Sequence, residues 1–220
     1  MTLIALLLAV AGPIHPPVAL TRITLVVDAP TWKEIKASEF LPVGFGAGYL
    51  AGNEQVRLCD RLTCLVLLPE DTTVGRRVGD LILGVVPVDG SALAEHLAAD
   101  SLRPVVEIVA APPRADGDAT AGEPPLLYYL ESATIALSDS VLRRVDPLLR
   151  SAGAEVVPEG EGLVVLFPNQ TLRLVPDYRG PGVERLAWRL RREASGNPTY
   201  RFGGISRLRF GPGRIATWTF

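Results

Sequence analysis

Apolar residues recur at every second position in many short stretches of this chain, and at helical spacing in only a few. Residues 21–28 alternate in this way and are rich in β-branched side chains, which predicts a strand. A helix is predicted to start within residues 28–31, where Thr31 and Glu34 have the spacing of a capping box. The same order returns later: residues 126–137 predict strand, and residues 138–153 predict a helix with one apolar face.

Shorter apolar runs follow both predicted helices and indicate further strands. In the first half these runs are residues 49–50, 55–58, 65–68, 80–89 and 104–110. In the second half they are residues 155–157, 163–167 and 172–175. Ser91 is a candidate cap for a short helix between the last two runs of the first half.

The C-terminal region predicts one more helix and a hairpin. Residues 182–192 would place four apolar side chains on one helical face: Val183, Leu186, Ala187 and Leu190. Residues 206–220 alternate on both sides of a Gly-Pro-Gly turn, as a hairpin does. The expected fold is α+β, with two βαβββ-like modules forming curved mixed or antiparallel sheets, plus a C-terminal helix and β-hairpin.

Residues 111–125 mark the clearest break in the pattern. They contain Pro, Gly, Ala and acidic residues without any apolar period, which is typical of a flexible connection. The predicted organisation is therefore a first module at residues 19–112, a linker at 113–125 and a second module at 126–220.

The first 18 residues predict a signal peptide and a spacer. Residues 3–10 are an unbroken apolar run, too short for a bilayer span of about 20 residues, and small residues at 9–11 suit signal cleavage. No Lys or Arg precedes the run, and a buried first strand is the alternative interpretation. The prediction is a secreted or periplasmic protein with no stable membrane span in the mature chain.

Cys59 and Cys64 flank four residues between two apolar runs, so they are expected to face each other across a hairpin. Two cysteines so placed would lie near disulfide distance, and a disulfide would fit an exported protein. The alternative is a pair of buried free thiols.

The doubled pattern resembles the modules of the glyoxalase-like, vicinal oxygen chelate superfamily. The match is most specific in the second half, where residues 133–139 resemble the opening strand-to-helix segment and residues 167–174 resemble the last hairpin. In the first half, residues 22–28 and 83–89 would take the places of the first and fourth strands. The resemblance covers about residues 20–175 and implies a cupped sheet able to hold a small molecule.

The metal chemistry of that superfamily is not expected here. In its metal-dependent members, His and Glu side chains on paired strands hold a divalent ion. The corresponding positions in this chain are Arg22, Leu83, Ala133 and Arg173. None of these residue types normally ligates a metal, so the prediction is a module without metal or other cofactor. Tyr129, Arg22 and Arg173 are the candidate contacts for an unidentified small molecule, with an anion as one class.

The charge balance and the counts of His and Cys limit the classes of partner and metal site that the chain can have. With 22 Lys+Arg against 24 Asp+Glu the net charge is −2, which argues against a protein-wide nucleic-acid interface. Two His and two Cys exclude zinc sites of four cysteines or three histidines. His96 is interpreted as a solvated helix residue and His15 as part of the leader. The pattern carries no signal for an oligomeric state.

Two further functions remain open. Glu131 could serve as the catalytic acid or base of a lyase or isomerase, with Tyr129 on the same strand face. Alternatively, the tail could bind an anionic partner, because residues 171–220 contain ten Arg against three acidic residues. The competing interpretation of those arginines is packing against the acidic remainder of the chain.

Overall fold

The computed structural model describes residues 19–86, 106–108, 124–151, 154–178, 180 and 182–220. The predicted leader, residues 113–123 of the linker, the helix after Ser91 and both histidines lie outside these residues. Within them are three helices: α1 (Ala29–Lys36), α2 (Phe40–Phe45) and α3 (Asp139–Ser151). None of these helices is long and apolar enough to cross a membrane.

The first sheet has six strands in the order β2-β3-β4-β1-β5-β6. Their bounds are β1 Ala19–Val27, β2 Tyr49–Ala51, β3 Val56–Cys59, β4 Cys64–Pro69, β5 Leu81–Val86 and β6 Val106–Ile108. Strand β1 is parallel to β4, as a crossover through a helix allows, and antiparallel to β5.

The second sheet has eight strands in the order β12-β13-β14-β11-β7-β10-β9-β8. The first four along the chain are β7 Leu127–Leu137, β8 Glu155–Glu159, β9 Gly162–Phe167 and β10 Gln170–Pro176. The last four are β11 Gly182–Leu190, β12 Thr199–Phe202, β13 Ser206–Gly211 and β14 Ile215–Thr219. Both sheets are curved and unclosed.

The predicted repeat is confirmed by the strand order. Each module places its first strand beside its fourth, in parallel, followed by the third and the second: β1-β4-β3-β2 and β7-β10-β9-β8. Even the registers agree, because Val27 pairs with Pro69 in one module and Leu137 pairs with Pro176 in the other. The mixed α+β fold expected from the sequence is therefore correct.

The prediction that residues 83–89 form the fourth strand of the first module was wrong. That place belongs to β4 (Cys64–Pro69), whereas β5 (Leu81–Val86) runs antiparallel on the other side of β1. Both strands are apolar and six residues long, so their composition does not distinguish a parallel neighbour from an antiparallel one. Leu83 consequently does not occupy the position that a metal ligand would have, and its side chain is buried in the core.

The predicted C-terminal helix was also wrong, because residues 182–190 form strand β11. The register of β11 against β7 shifts between Val183 and Arg185, and this shift explains the wrong prediction. A β-bulge adds one residue, so the buried side chain after Val183 is Leu186, three positions later. That single step of three imitates helical spacing.

Helix α1 begins one turn earlier than the predicted capping box. The Asp28 carboxylate accepts a hydrogen bond from the Thr31 backbone N–H at 2.7 Å, which makes Asp28 the N-cap. Pro30 then lies in the first turn, where its missing N–H costs nothing. The helix ends at Lys36, and Phe40 begins α2 instead of extending α1.

The first module packs against one face of the second sheet. The Phe40 ring stacks on Tyr200 with centroids 4.2 Å apart, and Phe45 meets Trp188 edge to face at 6.0 Å. Gly203 has φ +65°, and a Cβ there would lie 2.1 Å from the Thr31 hydroxyl oxygen. Only glycine allows so close an approach of α1 to the sheet.

Candidate functional site

The second sheet has one buried face and one open face. On the buried face the predicted helix residues Leu142, Val145 and Leu149 of α3 join the core over part of the sheet, as expected. The first module covers the other part of this face, which in sheet order runs from β7 through β11, β14 and β13 to β12. It does so through the contacts described above. The open face is formed by the intervening residues of the same strands, because successive side chains of a strand point to opposite faces.

A depression at the end of β7 and β11 is the candidate small-molecule site. Its volume is about 620 Å³. We call it the tyrosine–arginine depression, and its lining residues are Tyr128, Tyr129, Arg189, Leu190, Arg191 and Arg214. It is open to solvent, so a ligand could reach it without a movement of the chain.

Aromatic rings and guanidinium groups are in direct contact in this depression. The Tyr128 and Tyr129 rings meet edge to face with centroids 5.3 Å apart. The Arg191 guanidinium lies over the Tyr128 ring, 4.4 Å from its centroid, and the Arg61 guanidinium lies 5.7 Å from the same centroid. Arginine side chains held against rings are favourably placed by cation–π attraction and keep N–H groups for a ligand.

Glu131 forms an ion pair with Arg189 at the edge of the depression. The hydrogen bond from Arg189 to Glu131 raises the guanidinium pKa above its ordinary value, and Tyr129 contributes in the same direction. Arg189 Nη1 also donates to the Gly213 carbonyl at 3.4 Å. The predicted pair of Tyr129 and Glu131 is thus brought together through Arg189, a residue that the sequence reasoning had not linked to them.

The other two candidate ligand contacts lie elsewhere. Arg173, on the open face of β10, forms an ion pair with Glu159 at 2.7 Å. Arg22 is in β1 of the first sheet and is half-buried. Neither residue lines the tyrosine–arginine depression.

The residues missed by sequence reasoning came from the basic tail. Arg191 and Arg214 were counted there, but nothing in their spacing placed them beside Tyr128. Arg214 has φ +61°, the left-handed region that non-glycine residues seldom adopt. Arg214 lies at the turn of the β13–β14 hairpin and lines the depression.

Asp60 joins the two modules beside this site. One carboxylate oxygen accepts from the backbone N–H groups of Leu62 and Thr63 at 2.7 and 2.9 Å. The other accepts from the Leu130 N–H at 2.7 Å and from the Trp188 indole at 3.1 Å. Burial raises the pKa of Asp60 to about 6, although all four donors act to lower it.

The disulfide predicted between Cys59 and Cys64 is present and closes the loop that carries Asp60. The two cysteines are also register partners at the end of the β3–β4 hairpin. Thr63 of the same loop reaches the second sheet, where the Gln170 amide donates to its hydroxyl at 2.5 Å. The loop therefore aligns β7 and β11, the strands that carry the depression.

Metal-ligating residues do not cluster in the described part of the chain, where no group of three His, Cys, Asp or Glu is suitably placed. The Ala133 side chain faces the core, and Arg173 is engaged with Glu159. These are two of the positions compared with superfamily ligands.

Comparison with known proteins returns a fold and no family. No protein-family model matches the chain, and no curated protein matches it. Among solved structures, a fusion of a xylose isomerase-like TIM barrel with 4-hydroxyphenylpyruvate dioxygenase matches over 84% of this chain, with a TM-score of 0.51 and 15% identity. A mutant 4-hydroxymandelate synthase from Streptomyces coelicolor matches over 78% of this chain and 71% of its own, with a TM-score of 0.41 and 20% identity.

The chain spans 40% of the length of the fusion protein. At 15% identity, the match to the fusion protein shows a similar fold over most of this chain.

Proposed function

We propose that this protein binds a small planar anion in the tyrosine–arginine depression, without the help of a metal ion. The observation that carries the proposal is the convergence of three arginines and two tyrosine rings on one open depression. Only one carboxylate, that of Glu131, forms an ion pair with these arginines among the described residues. The site therefore keeps positive charge available for a ligand.

Each side chain has a distinct part in this binding. Glu131 and the Gly213 carbonyl hold the Arg189 guanidinium, so Glu131 acts as a positioning residue. Arg191 and Arg214 supply the guanidinium groups, whose planar forks match a carboxylate. Tyr128 and Tyr129 offer ring faces and edges against which a flat ligand can pack.

Titration calorimetry with benzoate tests this function, with benzylamine as a probe of opposite charge. We expect benzoate to bind and benzylamine not to bind. The double variant Arg191→Gln/Arg214→Gln should weaken benzoate binding at least tenfold, since two charge-assisted contacts are lost. Arg150→Gln is the matched control, because Arg150 pairs with Asp146 on α3 outside the depression.

Equal binding of the two probes, or unchanged affinity in the double variant, would contradict the anion site. Adding EDTA tests the metal-independent part of the proposal separately, since binding should be unaffected. A loss of benzoate binding with EDTA that zinc or magnesium restores would show that a metal takes part.

The enzymatic alternative depends on the same carboxylate. The contact of Glu131 with Arg189 supports a positioning role, because this carboxylate already accepts a guanidinium N–H. Glu131→Gln keeps the shape of the side chain and removes its charge. Any lyase or isomerase activity found for the chain should persist in that variant, and its loss would favour Glu131 as acid or base.

Export remains part of the proposal and is supported by the Cys59–Cys64 disulfide, which suits an oxidising compartment. Mass spectrometry of the mature N-terminus tests it. Recovery from the cytosol with the leader intact would contradict export.

A further inference from the structure

Strands β12 and β13, at one end of the second sheet, carry a second group of arginines. Arg201 and Arg207 are direct register partners, and Arg209 pairs with Thr199. We call Arg201, Arg207 and Arg209 the arginine triad. With Thr199 and Tyr200 they line a depression of about 610 Å³ that shares no lining residue with the tyrosine–arginine depression.

The arginine triad has no acidic partner among the described residues. Two other arginines of the open face differ, since Arg173 pairs with Glu159 and Arg189 with Glu131. Like charges placed directly opposite each other on antiparallel strands destabilise the pair. Among the described residues, no acidic side chain of the sheet offsets this cost at Arg201 and Arg207.

The fold does not need these charges. The stability of β13 comes from its other face, where Leu208 and Phe210 are buried. Thr219 lies between Arg207 and Arg185 across the strands, so a fourth guanidinium continues the same row. The charge is therefore concentrated on an open surface where it serves no packing purpose.

We propose that the arginine triad binds a ligand with two or more adjoining phosphate groups. Neighbouring strands lie about 4.8 Å apart, and residues two apart on one strand lie about 6.8 Å apart. Guanidinium groups spread over such distances can surround two linked phosphates, whereas one phosphate would leave part of the positive charge unpaired. Arginine forks match phosphate oxygens, and the Thr199 hydroxyl adds a donor.

The depression is open to solvent, and β12 is an edge strand of the sheet. A small phosphate-bearing molecule can enter it directly from solvent. Free diphosphate and the diphosphate of a nucleotide share the chemistry that the triad recognises, and the experiment below separates the two.

Titration calorimetry of the full chain at low salt should compare inorganic phosphate, inorganic diphosphate, ADP and a single-stranded oligonucleotide. We expect diphosphate to bind at least tenfold more tightly than phosphate. ADP at equal affinity identifies the diphosphate alone as the ligand group, and tighter ADP binding identifies a nucleotide. Equal binding of phosphate and diphosphate would overturn the proposal, as would tighter binding of a single-stranded oligonucleotide than of ADP.

Variants locate the site. Arg201→Gln/Arg207→Gln should weaken diphosphate binding at least tenfold and leave benzoate binding in the other depression unchanged, which also verifies folding. Arg173→Gln, on the same face but paired with Glu159, should change diphosphate affinity by less than twofold. Equal losses in the two variants would overturn the assignment to the triad. If the double variant does not fold, the single variant Arg209→Gln gives the same test.

Discussion

The two faces of the eight-stranded sheet carry opposite chemistry on the same strands. Along β14, Ala216 and Trp218 are fully buried, while Thr217 between them is half-exposed. Along β13, Leu208 and Phe210 are buried, and Arg207 and Arg209 alternate with them on the open face. A shift of one residue therefore separates side chains that stabilise the fold from those available to a ligand.

This difference shows where selection for function could act without loss of the fold. The buried face is continuous with the first module and with α3, so a change there disturbs three parts of the molecule at once. The open face has few such contacts, and its arginines can be exchanged at small cost in free energy. Both proposed binding sites involve side chains of that open face.

The largest effect should follow a change on the buried face. Trp218 is fully buried, lies near Trp188, Phe202 and Phe220, and donates to the Ser206 hydroxyl at 2.6 Å. Trp218→Ala should lower the free energy of unfolding by about 3–5 kcal/mol, because it leaves a large cavity. Urea denaturation measures this, with Thr217→Ala as the control on the opposite face, expected within about 0.5 kcal/mol. Similar losses in both variants would contradict the division into two faces.

A smaller effect should come from Asp60, whose carboxylate lies at the junction of the modules. Its folded pKa of about 6 exceeds the model-peptide value of 3.8, so the folded protein binds this proton more tightly than the unfolded chain. The stability contribution is therefore full below pH about 4 and is lost as the pH rises through 6, by an amount on the order of 3 kcal/mol.

Comparing the wild type with Asp60→Asn isolates this effect from other titrating carboxylates. Between pH 4 and 6 the free energy of unfolding of the wild type should fall relative to that of Asp60→Asn. Above pH about 7 the difference between the two proteins should stay constant. A change in the opposite direction would mean that the four N–H donors outweigh burial and lower the pKa.

The smallest effect should be a gain in stability. Arg207→Gln removes the like-charge pair with Arg201, so the free energy of unfolding should rise by a few tenths of a kcal/mol. Thermal denaturation at low and at high salt measures it, and the gain should shrink at high salt because charges on an exposed face are screened. A loss of stability at low salt would show that Arg207 takes part in holding the sheet together.

Local patterns were enough to predict much of the fold. Alternation identified most of the described strands, including the β13–β14 hairpin, and the cysteine spacing identified the disulfide. These features depend on residues close together in the chain. Strand β12, with four residues from Thr199 to Phe202, was missed.

Prediction was less successful where distant segments meet. The spacing of Val183 and Leu186 favoured a helix because a bulge cannot be recognised without its partner strand. Tyr129 and Glu131 were recognised as a pair, but Arg189, 58 residues beyond Glu131, was not connected with them. Asp60 gave no signal at all, since its partner Trp188 lies 128 residues away.

The sequence by itself determined most of the segments that become strands, which side chains are apolar, and that the strand–helix–strands unit occurs twice, because these properties arise from near neighbours and from the period of each element. Only the tertiary structure decided that β4 and not β5 lies parallel to β1, which arginines acquire acidic partners, and which remain unpaired on the open face. Those outcomes depend on strand pairing and register between segments far apart in the chain, and several alternative pairings satisfy the same local pattern.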